Sequence, residues 1–528
     1  SISNKQSIVR IDSGRPDCDI SLTELLIGLL AVAFGPKDRR QWAARYRNPP
    51  TSQELEAAFR PLEPALMLDG DGARFFQDRE ALAGEINGVE ALFIDAPGGN
   101  TLRENADHFV KRGRTAVLSR AGAAIALATL QTSAPLGGAG HRTSLRGGGP
   151  LTTLVVPGTD GRSEPTLWQR LWTNVPYRFA ADAERITEVF PWLVPTRISD
   201  KGGRATTPND VHQAQVFFGM PRRIRLAFEE NSKAHRCDLL GIVDDIVVTG
   251  YVTRPWGTNY TGWSRAHPLS PYYKPRPADL EFLPLHLQSS RVGYRDWLGM
   301  VVETPDGLRV PAQCLDAFRE RAEELGQQHV HHYARLLVAG YAMDNMKPLD
   351  FAESLLPLIF TTDAEALALI KTLARKWVRS ADLVANQLFT AVRRALYGSK
   401  GSAARDSTLL DGVRCRFWAD TEELFYGRLR DTAGNVEAKA PEPSEHQDAL
   451  LQAAGAAWLG VLRHRALRIF DDAAPIESAD SDRIADIVEG RKLLGLALAG
   501  HSSVGKQLFG ELSQPAVSKT PRRGREGA

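Results

Sequence analysis

The stretch that looks most like catalytic machinery is Gly500 to Gln507, GHSSVGKQ. It has the GxxxxGK spacing with which a phosphate loop wraps a nucleotide, but Gln507 stands where Ser or Thr would hold Mg2+. A phosphate loop also needs a strand before it and a helix after it, so that backbone N–H groups converge. Here the segment is expected inside a helix with no strand before it, and it reads as part of that helix. His329, His331 and His332 (HVHH) could ligate a metal. No second group of Cys, His or Asp accompanies them at ligand spacing, and HExxH is absent, so they read as the polar face of a helix. Cys237 with His235 is at most half of a zinc site. Three acidic pairs remain: Asp69 with Asp71, Asp244 with Asp245, and Asp471 with Asp472. Paired acids hold Mg2+ in nucleases only when partners converge from other segments, and acids in turns are common. Neither a GxSxG elbow nor a triad signature occurs.

A different chemistry is suggested by Ala134 to Gly149, APLGGAGHRTSLRGGG, which leads into the apolar run LTTLVV. Gly137, Gly138 and Gly140 permit positive φ and let a main chain approach another polymer closely. Arg142 and Arg146 flank them and could supply charge to phosphates. A DNA minor groove about 6 Å wide excludes bulky elements, so a glycine loop suits it. A flexible surface loop is the plain alternative.

The elements that must carry such a loop come in two regimes. Up to about residue 355, Gly and Pro break the chain every few residues. Between them lie β-rich runs such as Leu151 to Val156, Ile242 to Val252 and Trp297 to Val302, with helical stretches at Ser21 to Ala33 and Cys314 to Glu324. This is the pattern of a large, irregular α+β domain with long loops. Beyond about residue 360, four Ala- and Leu-rich segments follow: Asp363 to Tyr397, Ser407 to Thr432, Ser444 to Asp471 and Ser478 to Leu512. Leu367, Ile370, Leu373, Trp377, Leu383, Leu388 and Val392 fall at helical spacing in the first of them. The four segments predict an all-α C-terminal four-helix bundle. The expected division is an α+β domain over 1–358, the bundle over 359–512, and a disordered basic tail over 513–528.

At 528 residues the chain is too long for one core, and a net charge of +2 gives no global basic signature. Basic groups that grip nucleic acid must therefore be gathered locally. Four cysteines, Cys18, Cys237, Cys314 and Cys415, lie far apart, which fits a reducing cytoplasm better than a disulfide scaffold. The apolar run Leu25 to Phe34 is too short for a bilayer and reads as a buried helix.

In chain order, several pieces resemble one family. FGPKDRRQW with RYRNPP, LDGDGARFFQD, the glycine stretch, VTGYV with HPLSPYYK, and AGYAMDNMKPLDFAES are all similar to segments of CasA-type large subunits of the type I-E CRISPR Cascade complex. The resemblance covers nearly the whole chain.

It implies a binding subunit with no catalytic residues or cofactor. Family members often carry a cysteine cluster after the strand region, but only Cys237 remains here, so no metal is expected. The glycine loop would enter the minor groove at the protospacer-adjacent motif (PAM) through Gly138, Ala139 and Gly140, with Arg142 beside them. Ala139 stands where the family pattern has a glycine. Lys274 in HPLSPYYK is the matching groove-reading lysine. A hairpin would wedge beside the first target base pair through Asp344, Asn345, Met346 and Lys347, where one member of the family has an Asn-Gln tip. Gly98, Gly99, Asn100, Arg103 and Asn105 match the segment that meets the guide RNA and neighbouring subunits. Arg375, Lys376, Arg379, Arg393, Arg394, Arg463, Arg465 and Arg468 would help the bundle hold DNA, although a solvated helix face explains them equally. The implied partners are guide CRISPR RNA, double-stranded target DNA, the other Cascade subunits and a helicase-nuclease, with no membrane. The alternative is a metal-dependent nuclease of a defence system, resting on the acidic pairs alone.

Overall fold

The computed structural model describes residues 7–105, 112–138, 140–159, 161, 164–177, 179–181, 183–287, 292–326, 330, 333–359, 364–398, 407–438, 444–477 and 480–515. His329, His331, His332 and Ala139 lie outside the described residues. The chain divides into two compact units, Ser1–Val292 with Gly299–Leu358, and Gly293–Leu298 with Ile359–Ala528.

The first unit is α+β. Its opening helix, Pro16–Phe34, starts on a proline with Asp17 and Asp19 in the first turn, where carboxylates favour the helix dipole. The apolar run is buried as expected, with Ile27 and Ala31 fully enclosed. Gly28 permits that packing, because a Cβ there would lie 2.6 Å from Phe217 Cβ. Among the described residues no single helix is long and apolar enough to cross a membrane.

Two antiparallel sheets matter for the site. In one, Ile246–Arg254 pairs with Asn87–Gly88, Leu118–Ser119 and Arg223–Glu230. In the other, the hairpin of Arg335–Asp344 and Lys347–Pro357 pairs through its first strand with Thr152–Val156. A small third sheet joins Tyr272–Tyr273 to Leu283–Pro284 and Arg309–Val310.

The second unit is helical: Ala364–Tyr397, Ser407–Ala438, Ser444–Ala473, Ser481–Leu498 and a short Ser503–Glu511. The buried stripe of the first helix runs through Ile370, Leu373, Ala374, Trp377, Ala381, Val384, Leu388 and Val392, the spacing of one helical face. Leu367 and Leu383, expected on it, are only half-buried. Trp377 stacks on Trp458 with centroids 5.3 Å apart, and Phe425 and Tyr294 close the aromatic cluster.

Three sequence expectations need correction. Trp297 to Val302 is not a strand, because Trp297–Met300 forms a helical turn. Trp297 is fully buried and meets Phe425 edge-on, so its apolar character serves the aromatic cluster of the second unit. The fourth helical segment is broken, and GHSSVGKQ spans the break rather than lying within one helix. Gly500 takes φ +83°, His501 N–H closes onto Leu496 O, and the Ser502 side chain caps the next helix at Gly505 N. The expected tail is described only over Ser513–Pro515, where Gln514 donates from its side chain to Gln452 O at 2.9 Å; residues 516–528 lie outside the described residues. Arg146, the third correction, belongs to the site below.

Candidate nucleic-acid interface

The glycine stretch is a closed loop, and its shape follows from its ends. The helix Arg120–Ser133 stops at Ser133, whose carbonyl accepts from Gly149 N at 3.0 Å. Ser144 N–H returns to Ala134 O at 2.9 Å. The tip is tighter still: His141 N–H donates to Gly138 O at 2.8 Å, and Gly137 N–H to His141 O at 3.3 Å. Gly138 and Gly140 adopt φ +65° and +83°, the left-handed region that costs an L-residue about 1–2 kcal/mol. A Cβ on Gly138 would meet nothing within 4 Å, whereas one on Gly140 would lie 2.8 Å from the Trp256 ring. Gly138 is therefore open outward, and Gly140 is pressed inward.

Inward contacts hold the tip from behind. Trp256 N–H donates to Gly140 O at 2.8 Å. Arg142 lies over the Trp256 ring at 5.2 Å and donates to the Ser199 hydroxyl and carbonyl at 2.9 and 2.8 Å. Arg222 donates to Pro135 O and fills the space a Gly137 side chain would take. Burial pushes its guanidinium down to about 10. His141 is likewise held below its ordinary value, by burial first and by Arg222 second. Trp256, Ser199 and Arg222 were not singled out from sequence; the Pro-Trp-Gly turn at Trp256 was the available signal.

Arg146 is not a phosphate ligand. It is 3% exposed and paired with Glu24 of the first helix at 2.5 Å, with further bonds to Thr152 and Ser270 at 3.1 and 2.9 Å. Thr152 also donates to Glu24. Satisfying every group is what makes a buried ion pair tolerable, and here the pair pins the loop's exit to the first helix and the adjoining strand.

The hairpin tip stands against that exit. Asp344 faces Lys347 across the last pair of the ladder, leaving Asn345 and Met346 as a two-residue turn. Both take positive φ, 45° and 66°, the type I′ pattern whose twist matches a hairpin. Asn tolerates this conformation; Met does not favour it. The Asp344 carboxylate accepts from the Asn345 amide at 3.2 Å. A Cβ on Gly148 would lie 3.3 Å from Met346 Sδ and 2.7 Å from Pro135 Cα. One on Gly149 would meet Tyr341 Cβ at 2.8 Å. Glycine at both positions lets loop and hairpin share one place. Tyr341 also donates to Asp17, tying the hairpin to the first helix.

Lys274 sits just past Tyr272–Tyr273, its ammonium 4.8 Å from the Phe282 ring centroid. Backbone bonds from Leu151 to Leu285 and from Leu285 to Pro271 connect that strand to the loop's exit. The guide-RNA candidates form a separate element. Gly98 O accepts from Leu102 N at the start of the helix Gly99–Arg103, which includes Asn100. Asn105 follows at φ 49°, accepting from Arg112 at 3.0 Å. The structure brings glycine loop and hairpin together; it holds this element on its own.

At least one member of each acidic pair has structural work. Asp244 pairs with Arg120 at 2.6 Å, which holds its carboxyl below the usual range. Asp471 pairs with Arg491 and Asp472 with Arg416. Asp69 caps its own glycine turn at Gly70 N. Among the described residues no group of three or more His, Cys, Asp or Glu could hold a metal ion. In the bundle, Arg379 pairs with Glu511, Arg394 with Asp486, and Arg463 donates to Leu498 O.

An irregular α+β unit carrying this loop and hairpin, with a helical second unit, is the fold of CasA-type proteins. Thermus thermophilus CasA (Cse1) is similar at TM-score 0.63 and 18% identity, over 92% of both chains. Thermobifida fusca Cse1 is similar at TM-score 0.61 and 17% identity, over 96% of this chain and 92% of that one. A chain of a CRISPR RNA-guided surveillance complex is similar at TM-score 0.60 and 16% identity, over 91% of both chains. The sequence model of the CRISPR-associated protein Cse1 family matches residues 2–469. The chain belongs to that family.

Proposed function

We propose that this chain is the large subunit of a type I-E RNA-guided surveillance complex, where it reads the PAM and starts strand separation. The observation that carries the reading is the contact of the glycine loop's exit with the hairpin tip, at Gly148 and Met346. A protein that couples groove reading to opening of the adjacent base step needs those two parts side by side. Gly138, Ala139 and Gly140 probe the minor groove, Lys274 reads it, and Arg142 holds the loop on Trp256. Asn345 and Met346 cover the face of the first opened base. Unstacking a step costs a few kcal/mol, which this contact offsets. Sequence is read by guide pairing. Gly98 to Asn105 meets the guide RNA and neighbouring subunits, and the assembled surface receives the helicase-nuclease. The chain binds and positions; catalysis belongs to that partner.

The test uses the complex reconstituted with guide RNA on matched duplexes with and without a PAM. Gly138→Asp and Lys274→Ala are expected to remove the PAM preference, the lysine change weakening PAM-bearing duplex by about tenfold, the value of one specific groove contact. Metal-dependent cleavage by the isolated chain, abolished by Asp69→Asn with Asp71→Asn, would favour the nuclease reading instead.

A further inference from the structure

A cavity of about 320 Å³ in the first unit is lined by one face of the helix Gln313–Ala322. Gln313, Cys314, Ala317 and Arg321 recur along that face, opposite Lys37, Tyr177 and Phe179. Arg321 is fully buried between the rings of Trp42 and Tyr177, at 4.8 and 5.0 Å. Two of its five donors reach the carbonyls of Val175 and Thr173, at 2.8 and 2.9 Å. Its Nε has no acceptor at hydrogen-bond geometry among the described residues, and the neutral Tyr177 hydroxyl beside the guanidinium is the nearest group to serve it.

A guanidinium taken out of water is costly without an opposite charge. Among the described residues Arg321 makes no ion pair, and none of the described lining residues is acidic. Burial lowers its pKa, and the neighbouring Tyr177 hydroxyl opposes that more than Cys314 or Glu320 does. The helix also turns its first residues to the cavity, where the Cys314 N–H is already taken by Pro268 O at 3.0 Å, so the positive groups that face the space are side chains. A buried arginine with no carboxylate partner and a lysine at the rim favour an anion. The volume exceeds that of a bare oxyanion, and Phe179, Pro176 and Pro268 supply apolar wall for a body attached to it.

We infer that this cavity binds a small molecule carrying a phosphate group on an apolar or aromatic body, with Arg321 and Lys37 as its phosphate ligands. The site is separate from the glycine loop and does not rest on the proposed DNA reading. The experiment is calorimetric titration of the full chain in chloride buffer with adenosine monophosphate, uridine monophosphate, inorganic phosphate and adenosine. At least one monophosphate is expected to bind saturably, with adenosine at least tenfold weaker. Phosphate alone should compete, which identifies the shared group. Arg321→Gln should abolish binding. Because that variant can fail to fold, Ala317→Leu, which fills the cavity, should also abolish it, and Lys37→Ala should weaken it about threefold. Saturable binding by neither monophosphate overturns the inference. So does adenosine binding as tightly as the monophosphates, or binding that survives Ala317→Leu.

Discussion

Glu24 and Arg146 meet at 2.5 Å inside the first unit, their side chains 4% and 3% exposed. One belongs to the first helix and the other to the glycine stretch, so a single buried ion pair joins the start of the chain to the root of the loop. Removing one partner strands the other charge. Glu24→Ala is expected to cost about 3–5 kcal/mol in denaturant unfolding. Adding Arg146→Met should recover a large part of that loss. Equal losses in the single and double variants would show that the pair is not the cause.

The two tip glycines should behave differently. Gly140→Ala places a methyl against the Trp256 ring in addition to the left-handed strain, whereas Gly138→Ala meets open space. Gly138→Ala is expected to cost about 1–2 kcal/mol of stability, and Gly140→Ala measurably more. Thermal unfolding of the two variants distinguishes them, and equal costs would contradict the inward packing of Gly140.

At the hairpin tip, stability and function are expected to oppose one another. Met346 is 45% exposed and holds φ 66° in a turn that prefers glycine. Met346→Gly should stabilise the chain by about 1 kcal/mol. The same change removes the side chain proposed to cover the opened base, so strand opening at the first target step should slow. A fluorescent base analogue at that step reads the effect in the assembled complex.

Acid should weaken the first unit. His141, His212, His267 and His286 all lie below their ordinary pKa, with burial the largest cause at each. The unfolded chain therefore binds protons below about pH 6.5 that the folded chain does not take up. Stability is full above that pH and is lost as pH falls toward the folded values. Urea unfolding should show a lower midpoint at about pH 5.5 than at about pH 7.5. His267, fully buried with Arg146 adding to its shift, should account for part of the difference, so His267→Phe should reduce it.

Local pattern carried the α+β class, the strand at Thr152–Val156 and the helices Pro16–Phe34 and Gln313–Ala322, because periodicity and apolar runs report local structure directly. The roles of individual charges were not legible. Arg142 and Arg146 are four residues apart in one loop, yet one packs on Trp256 while the other meets a glutamate 122 positions away. Only tertiary contact separates them. Trp297 read as β-rich because its apolar neighbours carry no helical period, and its partner Phe425 lies far along the chain. The break at Gly500 was local and could have been read, since Gly followed by His-Ser-Ser is a stop and then a cap.

In the proposed function one loop reads a short duplex motif and passes that reading to the hairpin beside it. The most direct measurement is binding of the reconstituted complex to matched duplexes randomised at the PAM, with sequencing of the bound fraction. Strong enrichment of a short motif is expected, lost in Gly138→Asp and retained in Met346→Gly, whose defect lies in opening. Binding independent of those bases, or enrichment that Gly138→Asp leaves intact, would contradict it.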